Sequence, residues 1–195
     1  LLEAGPSDAH PFIHIPAGFI FVYRNKRYNW GFQAEPDPNL NNRVLTITQG
    51  KVLGGSSSIN GMLHVRAQKE DFAQWVADGC TGWSYEAMLP YYRKAETYPG
   101  KARSATALRG FEGLHGVSDA SGIHPLSQAF VEAAQEVGMP FVEDMNGETR
   151  EGASFFQHNR VGRFRSQPAQ TYLRAARRRP NLQVKVEALA TQVLF

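Results

Sequence analysis

The stretch Gly50-Lys51-Val52-Leu53-Gly54-Gly55-Ser56-Ser57-Ser58-Ile59-Asn60-Gly61 differs in composition from everything around it. Glycines admit backbone to within contact distance of a ligand, and successive amides beside hydroxyls form an anion-binding concavity. The stretch is not a P-loop. Gly50 and Gly55 have the right gap, but Ser56-Ser57 stands where that loop requires Lys-Ser or Lys-Thr. Nor is it a nucleophile elbow, because Gly54, Ser56 and Ser58 give G-x-S-x-S where a hydrolase needs a final glycine. By composition alone it is equally a structural glycine loop and a ligand cradle.

On its C-terminal side, Met62 to Gln68 alternates like a strand, and Asp71 to Ala77 carries Phe72, Trp75 and Val76 at helical spacing. Gly82-Trp83-Ser84 supplies a turn, with Ser84 as the cap of a helix holding Met88, Leu89, Tyr91 and Tyr92. Gly100 to Gly122 keeps neither period and is loop-like. His124-Pro125 opens a helix with Leu126, Phe130, Ala133, Ala134 and Val137 on one face and Gly138 just past its end. Short strands are expected at Ala153–Phe156 and within Arg160–Arg165. A helix follows from Gln167-Pro168 through Ala176, broken at Pro180-Asn181 before strands at Leu182–Val186 and Gln192–Phe195. On the N-terminal side, Pro6 to Gly50 is irregular apart from pieces such as Arg43–Thr48, and Leu1-Leu2-Glu3-Ala4-Gly5 is a strand stop. These pieces predict an α/β or α+β chain with two lobes.

With 195 residues, 42% hydrophobic and 20% charged, the chain has the composition of a folded globular protein. Its single cysteine, Cys80, leaves no internal disulfide, and is expected to be a small buried or half-buried side chain. The longest apolar stretch, Phe12 to Tyr23, is broken by His14, Pro16 and Gly18 and is shorter than the roughly 20 residues of a membrane helix. The opening residues have no leader pattern, and the sequence is expected to be an interior, N-terminally truncated piece of a longer one. The net charge of +3 comes from one cluster, Arg174, Arg177, Arg178 and Arg179, at the end of an expected helix, where arginine complements the helix dipole. No nucleic-acid module accompanies it, so no nucleic-acid partner is expected. His10 and His14 have helical metal spacing, but Pro11 and Pro16 exclude a regular helix there, so no metal site is expected. Trp30, Trp75 and Trp83 with Tyr91 and Tyr92 could cage a quaternary ammonium, yet Trp75 and Trp83 fall on helix-packing positions and are expected in the core.

The longer string Gly50 to Leu63, followed by Val65-Arg66-Ala67 and Asp71-Phe72, resembles the first signature of the glucose-methanol-choline (GMC) flavoenzyme family. The resemblance continues through Leu2-Glu3-Ala4-Gly5, Gly82-Trp83, Leu89-Pro90-Tyr91-Tyr92, His124-Pro125-Leu126, Asn146-Gly147 and Pro180-Asn181-Leu182, and is closest to choline dehydrogenase-like members. It implies an α/β fold: part of a Rossmann-like FAD-binding domain at residues 1–75, part of an α+β substrate-binding domain at 76–165, and a return to the FAD-binding domain at 166–195. By this resemblance Glu3 holds the adenosine ribose. Val52, Asn60, Gly61, Met62 and Leu63 face the flavin, Gly54, Gly55, Ser56 and Ser57 lie on its phosphate and ribityl side, and Ala190 offers backbone to adenine. Ile59 stands where covalently flavinylated relatives carry histidine, so FAD is expected to be noncovalent. His64 replaces a usual aromatic and is expected to be structural.

The implied reaction is oxidation of a choline-like or other primary alcohol by hydride transfer to flavin, with oxygen or a quinone as the electron acceptor. The family's catalytic histidine is expected beyond Phe195, which leaves no catalytic residue within this chain, and the glycine-rich dinucleotide turn is expected before Leu1. An inactive fragment acting as a binding module is the alternative. A cytoplasmic or peripheral membrane location is expected.

Overall fold

The computed structural model describes residues 1–100 and 107–195. The loop-like reading of Gly100 to Gly122 therefore falls partly, at 101–106, outside the described residues. The described chain forms two compact units, one of Leu1–Met62 with Gly162–Phe195 and one of Leu63–Val161.

In the first unit, the Pro-rich opening is more ordered than its composition suggests. Pro11–His14 and Phe19–Val22 are single α-helical turns joined by a 3-10 turn at Pro16–Gly18. Pro11 occupies the first helical turn, where its missing N–H leaves no bond unmade, and His10 caps it by accepting the Phe12 amide. These turns direct Ile13 and Val22 inward, where they join Tyr28, Val52 and Ile59 in one apolar cluster. Phe32–Gln33 pairs antiparallel with Thr46–Ile47, inside the extended piece expected near Arg43–Thr48. The first residues lie parallel to the end of the chain: Leu2 bridges Lys185, Glu3 donates its amide to Lys185, and Ala188 donates to Glu3.

That pairing is all that forms of the strand expected at Leu182–Val186, and Gln192–Phe195 is exposed outside any ladder among the described residues. A strand needs an edge to bond, and sequence alternation alone does not supply one. The helix expected from Gln167 begins instead as a π-helical turn at Ala169–Leu173, followed by α-helix at Arg174–Ala176. Gln167 starts it by accepting the Ala169 amide on its side-chain oxygen.

The second unit is built around polar groups. Leu63–His64 pairs antiparallel with Gln157–His158, and Glu96–Thr97 pairs parallel with His115–Gly116. Helices cover Lys69–Ala77, Tyr85–Ala95 and Pro125–Glu136. Ser84 caps the second of these through the Ala87 amide, as expected. Phe72 is buried but Trp75 and Trp83 are 45% and 51% exposed and meet edge to face, which corrects their expected place in the core. Cys80 is exposed, another correction, because it lies in the turn that ends the Lys69–Ala77 helix. The Pro125–Glu136 helix has its expected limits and His124 cap, yet Leu126 and Phe130 face outward while Val131 alone is buried.

Candidate functional site

The glycine-serine stretch folds as a tight loop closed on itself. Gly54 and Gly55 take φ of +93° and +60°, a region that disfavours any side chain, and the 3-10 turn Gly55–Ser58 follows. A Cβ at Gly54 would lie 2.3 Å from Gln167 Oε1, whereas one at Gly55 would meet nothing within 4 Å. The glycine at 54 is thus required by the protein's own packing, and that at 55 faces open space. The serine hydroxyls bind the loop's own backbone: Ser56 Oγ accepts from Gly50, while Ser57 and Ser58 donate to the carbonyls of Gly54 and Leu53. Ser57 and Ser58 thus spend their hydroxyl protons on the loop, whereas exposed Ser56, which only accepts there, keeps its own to donate to a ligand.

Glu3, Gly54 and Gly55 meet on the wall of one concavity of about 460 Å³, whose remaining lining is mostly apolar and includes Leu53, Ala169, Tyr172 and Leu173. One oxygen of Glu3 accepts the Gly5 amide at 2.7 Å, which orients the carboxylate. Ala190 is exposed and lies just past Ala188, whose amide bonds Glu3. Val52 turns its side chain into the apolar cluster, so only its backbone is available to a ligand. Ser56, Asn60 and Gly61 are exposed and Ser57 is half-buried. Met62 is buried at φ +64°. Leu63 begins the first strand of the other unit. Ile59 is fully packed within the apolar cluster and presents no nucleophile.

The structure also contains two groups of residues that periodicity did not reveal. In the first unit Arg165 is buried, donating Nε to the Ile13 carbonyl and Nη1 to the Ser57 carbonyl and Asn60 Oδ1. Burial holds its guanidinium down at about 10.

In the second unit Arg109 is completely buried between two carboxylates. Its Nε lies 2.8 Å from Glu96 Oε1, and its Nη1 lies 2.9 Å from Asp144 Oδ1 and 2.8 Å from Gln157 Oε1. Its guanidinium carbon stands 3.7 Å above the Tyr98 ring. Arg66 Nη2 pairs with Glu96 at 2.5 Å, and Asn146 links Gln157 to the backbone of His64 and Arg66.

Burial alone would push the Glu96 carboxyl up. Contacts with His64 and Arg109, the charge of Arg66 and the Gly110 amide outweigh it and hold the group at about 2. His64 belongs to this same assembly: Nδ1 lies 2.8 Å from Asn159 Oδ1, and Nε2 lies 3.4 Å from Glu96. His115 Nε2 shares Asn159 Oδ1 at 2.9 Å, and burial lowers its proton affinity below the usual histidine value. Their partners lie far apart in sequence, so the only local sign was a polar residue in an otherwise apolar setting.

Comparison with known proteins follows the same lines. The sequence pattern of the GMC oxidoreductases matches residues 13–195. An oxygen-dependent choline dehydrogenase of Rhizobium johnstonii is 42% identical over all of this chain and 35% of its own length. The mitochondrial choline dehydrogenase of Mus musculus is 40% identical over all of this chain and 33% of its own. The chain thus spans about a third of the length of these relatives. Among solved structures, pyridoxine 4-oxidase from Mesorbium loti superposes with a TM-score of 0.88 at 27% identity, over 96% of this chain and 36% of that one. An FAD-dependent oxidoreductase from Chaetomium thermophilum gives 0.84 at 30% identity, over 94% and 33%. The mixed helix-and-strand architecture is that of the N-terminal, FAD-binding part of such enzymes, and this chain belongs to the GMC oxidoreductase family.

Proposed function

We propose that the unit formed by Leu1–Met62 and Gly162–Phe195 holds FAD noncovalently and serves the oxidation of a primary alcohol of the choline type. The observation that carries this reading is the meeting of Glu3, Gly54 and Gly55 at one concavity. The residues suit the group physically. A carboxylate oriented by the Gly5 amide presents an acceptor for ribose hydroxyls, and the apolar wall from Leu53 to Leu173 suits a flat ring system. The open space at the Gly55 Cβ position lets a ligand approach the main chain directly.

Bound FAD supplies the hydride-accepting chemistry. This chain's residues orient and shield. Glu3 fixes the adenosine end, Gly54 and Gly55 bring backbone against the cofactor, and the Asn60–Met62 segment offers backbone toward the flavin ring. Ile59, buried and without a nucleophilic atom, supports noncovalent attachment. The Leu63–Val161 unit, with its fixed polar centre, is assigned to the substrate side. The choline-type substrate rests on the names of the relatives; no helix among the described residues is long and apolar enough to cross a membrane.

The test is the visible spectrum of the native gene product. A flavin spectrum with the chromophore released on denaturation is expected, followed by bleaching when choline is added without an electron acceptor. A protein that carries no flavin and takes none up would refute the proposal.

A further inference from the structure

Arg165 is a buried cation with no carboxylate within ion-pair distance among the described residues, and its Nη2 is buried without a hydrogen-bond partner. Burying a charge in this way is costly, and a neutral side chain could tether backbone at lower cost. What the guanidinium grips is specific. Its Nη1 bonds Asn60 Oδ1 at 2.8 Å, and the same oxygen accepts the Met62 amide at 3.1 Å. Met62 is a non-glycine residue held in the left-handed region, a conformation that persists only where the surroundings impose it. Arg165 also holds the Ser57 carbonyl at the end of the glycine-serine turn and the Ile13 carbonyl of the first helical turn. One cation therefore ties the C-terminal half of the loop, at Ser57 and Asn60, to the first helical turn.

We propose that Arg165 is the positioning residue of the flavin-facing turn Asn60–Met62, and that its unpaired positive charge favours reduced over oxidised flavin at that turn. This rests on the FAD reading above. Negative charge gathers on a flavin as it is reduced, and a fixed cation in a low-dielectric setting stabilises it without reorganising. The tether explains the contacts, and the potential explains why the tether is a cation without a counter-ion.

Three variants of the native gene product separate tether from charge: Arg165→Met removes both, Arg165→Lys keeps the charge, and Asn60→Asp keeps the acceptor while pairing the cation. Two quantities are read, FAD affinity by titration of the apoprotein and flavin midpoint potential by equilibration with a redox dye. Arg165→Met is expected to weaken FAD binding about tenfold or more, as loss of charged hydrogen bonds does. It should also lower the potential by about 30 mV, a tenfold change in the preference for reduced flavin. Asn60→Asp should lower the potential by a similar amount, because it pairs the cation. Arg165→Lys should retain most of the wild-type potential. Should Arg165→Met fail to fold, Asn60→Asp decides the charge and Arg165→Lys decides the positioning role: an ammonium cannot reproduce the forked grip on Ile13, Ser57 and Asn60, so weaker FAD binding is expected and wild-type affinity overturns it. A wild-type potential in Asn60→Asp overturns the electrostatic role, and wild-type FAD affinity in Arg165→Met overturns the positioning role. A wild-type protein without flavin overturns the FAD reading itself, so the two failures are distinguishable.

Discussion

Replacing Arg109 with Met tests the polar centre of the Leu63–Val161 unit most directly. The side chain is 0% exposed, and methionine is flexible enough to fill much of its volume, so the loss is chiefly electrostatic. In the variant Glu96 keeps the Arg66 ion pair and the Gly110 amide, and Asp144 keeps the Asn146 amide and Gln157 Nε2. Glu96 would then keep the cation of Arg66, while Asp144 would be left with neutral donors. Removing one partner of a buried pair costs about 3–5 kcal/mol, and loss of the cation above the Tyr98 ring adds about 1 kcal/mol. Urea unfolding at pH 7 should show a loss of this size. Amide exchange should quicken at Tyr98 and Val117, whose N–H groups bond within this unit. The penalty should shrink on acidification, because Glu96, freed from Arg109, takes up a proton more readily than in the wild type. A loss below about 1 kcal/mol, or one unchanged between pH 7 and pH 4, would refute the view that Arg109 compensates these carboxylates.

Glu96 makes a pH-dependent contribution whose sign follows from its lowered proton affinity. Its folded value of about 2 lies below the ordinary 4.5, so its stabilisation is complete above 4.5 and is lost as pH falls toward 2. Glu96→Gln should abolish that acid-limb component, measured as the difference between the two stability profiles; parallel profiles would contradict it. Gly55→Val should abolish flavin binding, because a branched side chain at φ +60° is strained and fills the space through which a ligand reaches the backbone. Equilibrium dialysis with FAD checks this, and retained binding would remove Gly55 from the site. Glu3→Gln in the native gene product should weaken FAD retention about tenfold, by loss of a charged acceptor; unchanged occupancy after gel filtration would exclude the ribose role.

Much of this protein was legible in local sequence because the causes were local. Gly54 and Gly55 set a left-handed turn through their own backbone freedom, Ser84 and His124 cap helices a few residues away, and the spacing of Gly50 to Leu63 carried the family likeness. Where local signals misled, a distant partner decided. Leu126 and Phe130 have the periodicity of a buried face, yet Val131 is the residue turned inward. Alternation at Leu182–Val186 yields a single bridge because, among the described residues, the edge it bonds is the short stretch around Leu2.

The partners of the polar groups lay beyond local reading. Arg109 meets Glu96, Asp144 and Gln157 at sequence separations of 13, 35 and 48, and Arg165 reaches Ile13 across 152. No period encodes such meetings. The sequence by itself determined the glycine-serine loop, the starts of the Tyr85–Ala95 and Pro125–Glu136 helices and the family likeness of Gly50 to Leu63, each of which depends on residues within a short stretch of chain. Tertiary structure decided which charges are buried and what compensates them, because the cost of burying a charge depends on the partners that distant segments bring to it.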